Sequence, residues 1–276
     1  MQENIFQNDK SINIKETLTK GWSLYKNNFK LFISINLILY LVTFLFTMPS
    51  FLTAFSPNPV FAIIYGVSAL VLFIPLMYFT IRFTVALYVA IHARYKNEHI
   101  SFGMAYTQAK GRLLNYFIAT IVIGLINLIP SMALFYGMTY VENIFTKLII
   151  YAVAVVPMIY ITVILGFGPI IRIFNPEIDR YLIKSKELVK GNFWKVLIIV
   201  FCSSIVFMIP KYLFDYVVKE FFAMPLITQQ IIDQVYMLLM VIISPFGTST
   251  YISMFMQLMG EDRADESEAE EVQEQL

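Results

Sequence analysis

Cysteine occurs once in this chain of 276 residues, and histidine twice. The lone Cys202 lies inside an apolar run, so one chain can build neither a disulfide framework nor a cysteine metal cage. His92 and His99 have only Glu98 as an acidic neighbour, whereas a metal site needs three or four converging ligands. No metal and no cofactor is therefore expected. Charge is scarce too: 14% of residues are charged, against about a quarter in ordinary soluble domains. A net charge of +1 supplies no concentrated basic face, which argues against nucleic acid as a partner. Phosphate-cradling glycine loops, nucleophile elbows and histidine-carboxylate constellations are all missing. No catalytic residue is assigned, and the chain is not expected to be an enzyme. The first 29 residues lack the basic, apolar, small-residue order of a cleaved signal, so the first span is expected to insert uncleaved.

What the chain has is apolar residues, 58% of the total, with 16% aromatic. So much apolar surface must face lipid, and it is arranged in repeats. Ile14 to Phe29 superposes on Ile178 to Phe193 at a shift of 164 residues, with seven identities in sixteen positions: Ile14, Leu18, Lys20, Leu24, Lys26, Asn28 and Phe29. A more diverged copy begins at Ile100. A shift of 78 residues also places Arg94 on Arg172, Asn97 on Asn175 and Ile100 on Ile178. Each copy is a basic amphipathic segment turning into a long apolar run, the pattern of an interfacial helix feeding a membrane span.

The expected fold is therefore an all-α integral membrane protein. Six transmembrane helices form three repeats (13–95, 96–174 and 175–260), each an interfacial basic helix plus a two-span hairpin. Residues 1–12 read as a polar lead, and 261–276, with eight acids and one Arg, as a disordered acidic tail. The expected spans are Phe29 to Met48, Val60 to Ala93, Leu113 to Pro130, Leu148 to Phe174, Phe193 to Ile209 and Val235 to Leu258. Pro49, Pro130 and Pro210 close the odd-numbered ones. Asn13 with Glu16 suggests a capping box before the first elbow helix. Asn175-Pro176-Glu177 reads as the start of the third.

Fifteen Lys and Arg gather on the three elbows, which places the elbows and both termini in the cytoplasm by the positive-inside rule. Lys20, Lys26, Arg112, Lys184, Lys186 and Lys190 are the expected contacts with lipid headgroups. Arg82 is the basic residue that lies deepest within a span, about eleven residues or roughly 16 Å from Ala93, near the midplane if that span ends there. A ligand site is expected where Arg82 meets a helix break at Pro245, Gly247 and Thr248, donating to freed carbonyls or to an anionic ligand. The competing reading is an arginine that snorkels to the inner headgroups.

Ile100-Ser101-Phe102-Gly103 leading one elbow, and Lys190-Gly191-Asn192-Phe193-Trp194 closing another, give residues 10 to 260 a resemblance. The chain resembles the membrane domain of bacterial glycerophosphoryl diester phosphodiesterases and related uncharacterised six-span bacterial membrane proteins. In that family the hydrolase is a separate soluble domain, so the resemblance implies a membrane module without the enzyme. The expected function is a non-enzymatic module of the cell membrane that handles lipids or hydrophobic molecules, or scaffolds envelope proteins. Its expected partners are membrane lipids and a membrane or envelope protein. The alternative is a transporter or immunity protein for a membrane-active peptide or lipid.

Overall fold

A computed structural model describes residues 12–55, 59–221 and 226–260. The polar lead up to residue 11 and the acidic tail from residue 261 lie outside the described residues. Among the described residues every regular element is a helix: α1 Ile14–Asn27, α2 Phe29–Phe55, α3 Pro59–Tyr95, α4 Phe102–Lys110, α5 Leu113–Tyr140, α6 Ile144–Leu165, α7 Gly168–Phe174, α8 Tyr181–Val189, α9 Phe193–Phe221 and α10 Leu226–Met259. Five of the described stretches are long and apolar enough to cross a membrane, and a sixth is counted if α1 and α2, bent by 81°, form one broken span. This is the make-up of an α-helical membrane protein, because a helix satisfies its backbone polar groups internally where lipid offers none.

Three short helices lead into long ones, and each bend has its own chemistry. At the first, Asn28 donates from Nδ2 to Leu24 O at 3.0 Å, ending α1, while its carbonyl accepts from Phe32 N–H at 3.1 Å, starting α2. At the second, Ser101 caps α4 by accepting from Met104 N–H at 3.4 Å, and α4 stops at Gly111. At the third, Gly191 takes φ +85°, the left-handed conformation that stops α8, and Asn192 O accepts from Val196 N–H at 2.9 Å to open α9.

Several expected boundaries move. Pro49, Pro130 and Pro210 do not end helices: α2 continues to Phe55, α5 to Tyr140 and α9 to Phe221. A proline removes one donor and kinks a helix, but an apolar run in lipid has no better conformation on either side of it. The expected break at Pro245 to Thr248 is absent for the same reason, since α10 runs through it. A break does fall within the fourth expected span, where residues 166 and 167 separate α6 from α7. Asn175-Pro176-Glu177 does not start the third short helix, which begins at Tyr181. In a helix Pro176 O would accept from Arg180 N–H; instead Arg172 Nη1 donates to it at 2.9 Å and holds the segment as turns.

The chain divides into two compact units. One comprises Ile14–Gly111 and Ile199–Ser253, that is α1 to α4 with most of α9 and α10. In it, burial gathers at the elbow ends of the helices. Among the described side chains of α1 and α2 the buried ones are Thr17, Gly21, Leu24, Tyr25, Phe32, Ile35 and Asn36, whereas Leu37, Leu41 and Leu45 are exposed. On α3 no described side chain from Val60 to Phe79 is buried, yet from Phe83 to Ala93 only Thr84, Tyr88 and His92 escape burial. Those three recur at four-residue steps and form the single outward stripe of that half. The other unit comprises Arg112–Ile198 with Ile12, Asn13 and the end of α10 from Met254. Its α5 and α6 are exposed over most of their length, while Phe167, Gly168, Ile170, Ile171, Ser185, Leu188, Val189, Val196 and Met254 to Met256 pack inside.

Candidate functional site

Proline at 245 deprives α10 of one hydrogen bond, the one that Val241 O would accept four residues back. That carbonyl is not left bare. Asn36 of α2 donates to it from Nδ2 at 3.0 Å and also reaches Ser244 Oγ. One residue along, Tyr25 of α1 donates its hydroxyl to Ile242 O at 2.7 Å. Burial raises the Tyr25 phenol above its ordinary value, so it stays a donor throughout the physiological range. The Phe246 ring lies edge-on to Trp22 and Tyr25, with centroids 5.6 and 6.3 Å away. Thr248 donates to Ser244 O at 3.2 Å, the common i−4 bond of a helical threonine. Pro245 itself is buried, and Gly247 and Thr248 are half-buried. The segment around Pro245 is thus a packed joint between α10 and the first elbow.

Arg82 is engaged elsewhere. Its Nε and Nη2 donate to Tyr106 O, each at 3.4 Å, and Nη1 donates to Tyr78 OH at 3.0 Å. The guanidinium carbon stands 3.7 Å from the centroid of the Tyr106 ring and 5.8 Å from that of Tyr78. The carbonyl freed by Pro245 and the one after it therefore have Asn36 and Tyr25 as donors, not Arg82, and the expected joint site of Arg82, Pro245, Gly247 and Thr248 resolves into two separate clusters. Tyr106 belongs to α4, so the arginine meets the second elbow helix. Phe83 and Phe102 complete this aromatic group, 5.1 and 6.3 Å from the Tyr106 ring.

The expected headgroup residues differ in their freedom. Lys20 Nζ sits 4.6 Å above the Tyr95 ring, and the Arg112 guanidinium is 5.4 Å from that of Phe174. Desolvation lowers the affinity of Arg112 for its proton, although a guanidinium stays charged. Lys184 lies 3.9 Å from Glu187. Lys26, Lys186 and Lys190 are exposed.

Two arginines that the 78-residue shift superposes do the same local work. Arg94 donates to Ile100 O at 3.0 Å and Arg172 to Pro176 O at 2.9 Å, each tying down the connection that follows its own helix. In both, Nε is buried without a partner.

No protein-family model, no curated protein and no solved structure matches this chain.

Proposed function

We propose that this chain is a non-enzymatic module of the cell membrane, with six spans in three repeats and the elbows and both termini in the cytoplasm. It handles lipids or other hydrophobic molecules. The likeness to the membrane domain of glycerophosphoryl diester phosphodiesterases is part of this reading and supplies no catalytic residue.

The burial pattern carries the proposal. Small buried residues recur in the three short helices at Gly21, Ala105 and Ser185, spaced by 84 and 80 residues. Buried residues also recur at Tyr25, Ala109 and Val189, and at Ile35, Ala119 and Ile199, with the same two spacings. Each elbow helix lies on the second span of the unit before it. Gly21 of α1 faces Thr250 of α10, α4 packs on α3, and Ser185 of α8 donates to Ile164 O of α6 at 2.7 Å. Equivalent positions buried in elbow helices that pack on equivalent spans support one unit used three times. Beyond those collars the spans are bare, α3 most of all: Leu70 and Ile74 are 79% and 69% exposed, and every residue from Leu70 to Pro75 is open. Six consecutive open residues go round the whole helix, so this length is solvated by lipid or lipid-like molecules.

Gentle extraction in a mild detergent, followed by native mass spectrometry, tests the reading. Retention of stoichiometric lipid or another apolar small molecule is expected. A bare polypeptide, or release of the chain from membranes by alkaline carbonate, would overturn it.

A further inference from the structure

The part of α3 in which no described side chain is buried, Val60 to Phe79, is 20 residues, or about 30 Å of helix, the thickness of a bilayer's hydrocarbon core. Arg82 comes three residues later, just before Phe83, the first buried residue among those described on α3. The same ruler therefore moves Arg82 from the midplane to the level of the phosphates, where the bare span enters its collar. Tyr78 and Tyr106 flank it, as amphipathic rings do at that level.

Packing does not call for a guanidinium here. The 164-residue shift that superposes the first and third elbows carries Arg82 onto Phe246. Phe246 packs on Trp22 of its elbow helix just as Arg82 packs on Tyr106 of its own. Two apolar rings thus make this joint without charge on α10, and α3 has the charge in addition. No described carboxylate neutralises Arg82. Three of its five N–H groups are used on Tyr106 and Tyr78, which leaves one hydrogen on each terminal nitrogen for an acceptor outside the chain. Above the guanidinium, Tyr78, Ile74 and Val71 follow at steps of four and three, an exposed apolar strip leading up the same face.

We propose that Arg82, with Tyr78 and Tyr106, binds the phosphodiester of an anionic phospholipid, whose acyl chain lies along Tyr78, Ile74 and Val71. The tyrosines hold the guanidinium in place, and its two remaining hydrogens make a fork that suits two phosphate oxygens. This rests on the lipid-handling reading above and adds to it the ligand and the place.

The whole chain is purified from nanodiscs holding equal amounts of phosphatidylglycerol and phosphatidylcholine, and retained lipid is read by native mass spectrometry. The wild type is expected to retain one phosphatidylglycerol in preference, and Arg82→Gln to lose that preference by about tenfold. Lys211→Gln removes a charge near Tyr236, away from the site, and is expected to leave the preference unchanged. If Arg82→Gln does not fold, Arg82→Lys and Tyr78→Phe carry the test, each expected to weaken the preference by several fold because the fork or its anchor is lost. Equal retention by wild type and folded variants overturns the site while leaving the membrane reading intact; release of the chain by alkaline carbonate overturns both. Displacement of the lipid by inorganic phosphate, with a phosphate adduct in its place, overturns the lipid assignment in favour of a free anion.

Discussion

Asn36 donates its carboxamide hydrogen to Val241 O at 3.0 Å, and Val241 O is the carbonyl that Pro245 leaves without an intrahelical partner. A polar residue in the second helix and a proline in the tenth are thus two halves of one device. Asn36→Ala is expected to lower stability by about 1–2 kcal/mol, since it strands a buried acceptor. In a Pro245→Ala background the helix supplies its own N–H, and the same substitution should cost about 0.5–1 kcal/mol less. Thermal midpoints in detergent for the four combinations decide the matter. Strictly additive losses would mean that the two residues are not coupled.

The first elbow should tolerate no side chain at Gly21. A Cβ there would stand 2.7 Å from Thr250 Cα, a backbone atom that cannot swing aside. Gly21→Ala is expected to cost about 1–3 kcal/mol through overpacking. Gly103→Ala, in the second elbow with nothing within 4 Å of the new carbon, should be neutral or stabilise by up to about 1 kcal/mol. Comparable losses at both positions would refute the close approach of α1 to α10.

Gly191 presents the opposite case, where space is free and the backbone is not. Nothing lies within 4 Å of a Cβ at this position, but its φ of +85° penalises any L side chain. Gly191→Ala should cost about 1–2 kcal/mol. Gly111→Ala, at φ −72°, should cost almost nothing. Unfolding midpoints of the two variants separate backbone strain from crowding.

The starts of the odd-numbered spans were legible in the sequence, and their ends were not. Phe29, Leu113 and Phe193 all open long helices where the apolar runs begin. The prolines misled because the rule that proline stops a helix holds where water can take over the freed carbonyl. In these apolar runs a side chain such as Asn36 must do so, and which one it is depends on packing 205 residues away. The start at Tyr181 was hidden for a related reason, since Arg172 takes the Pro176 carbonyl that a helix would have used. Arg82 stood out in the sequence as the unusual residue, but its partner did not. The available signal was the repeat itself, which pairs Arg82 with Phe246 and so points to the elbow contact of that span rather than to a break in another.

Topology provides the last test, and it bears on all three elbows together. If each unit is an elbow followed by two crossings, the chain returns to the same side before every elbow, and the basic residues put that side in the cytoplasm. Lys26, Lys110 and Lys186 are exposed on α1, α4 and α8, one for each elbow. Tyr140 and Lys211 are exposed near the far ends of α5 and α9. With half-buried Cys202 changed to serine, cysteine is introduced at each of the five positions in turn and treated with a membrane-impermeant maleimide. The three elbow positions should react in inverted vesicles and be silent in intact cells, and the other two should show the reverse. A single elbow that reacts from outside would break the threefold scheme, because an odd number of crossings would then separate it from its neighbours.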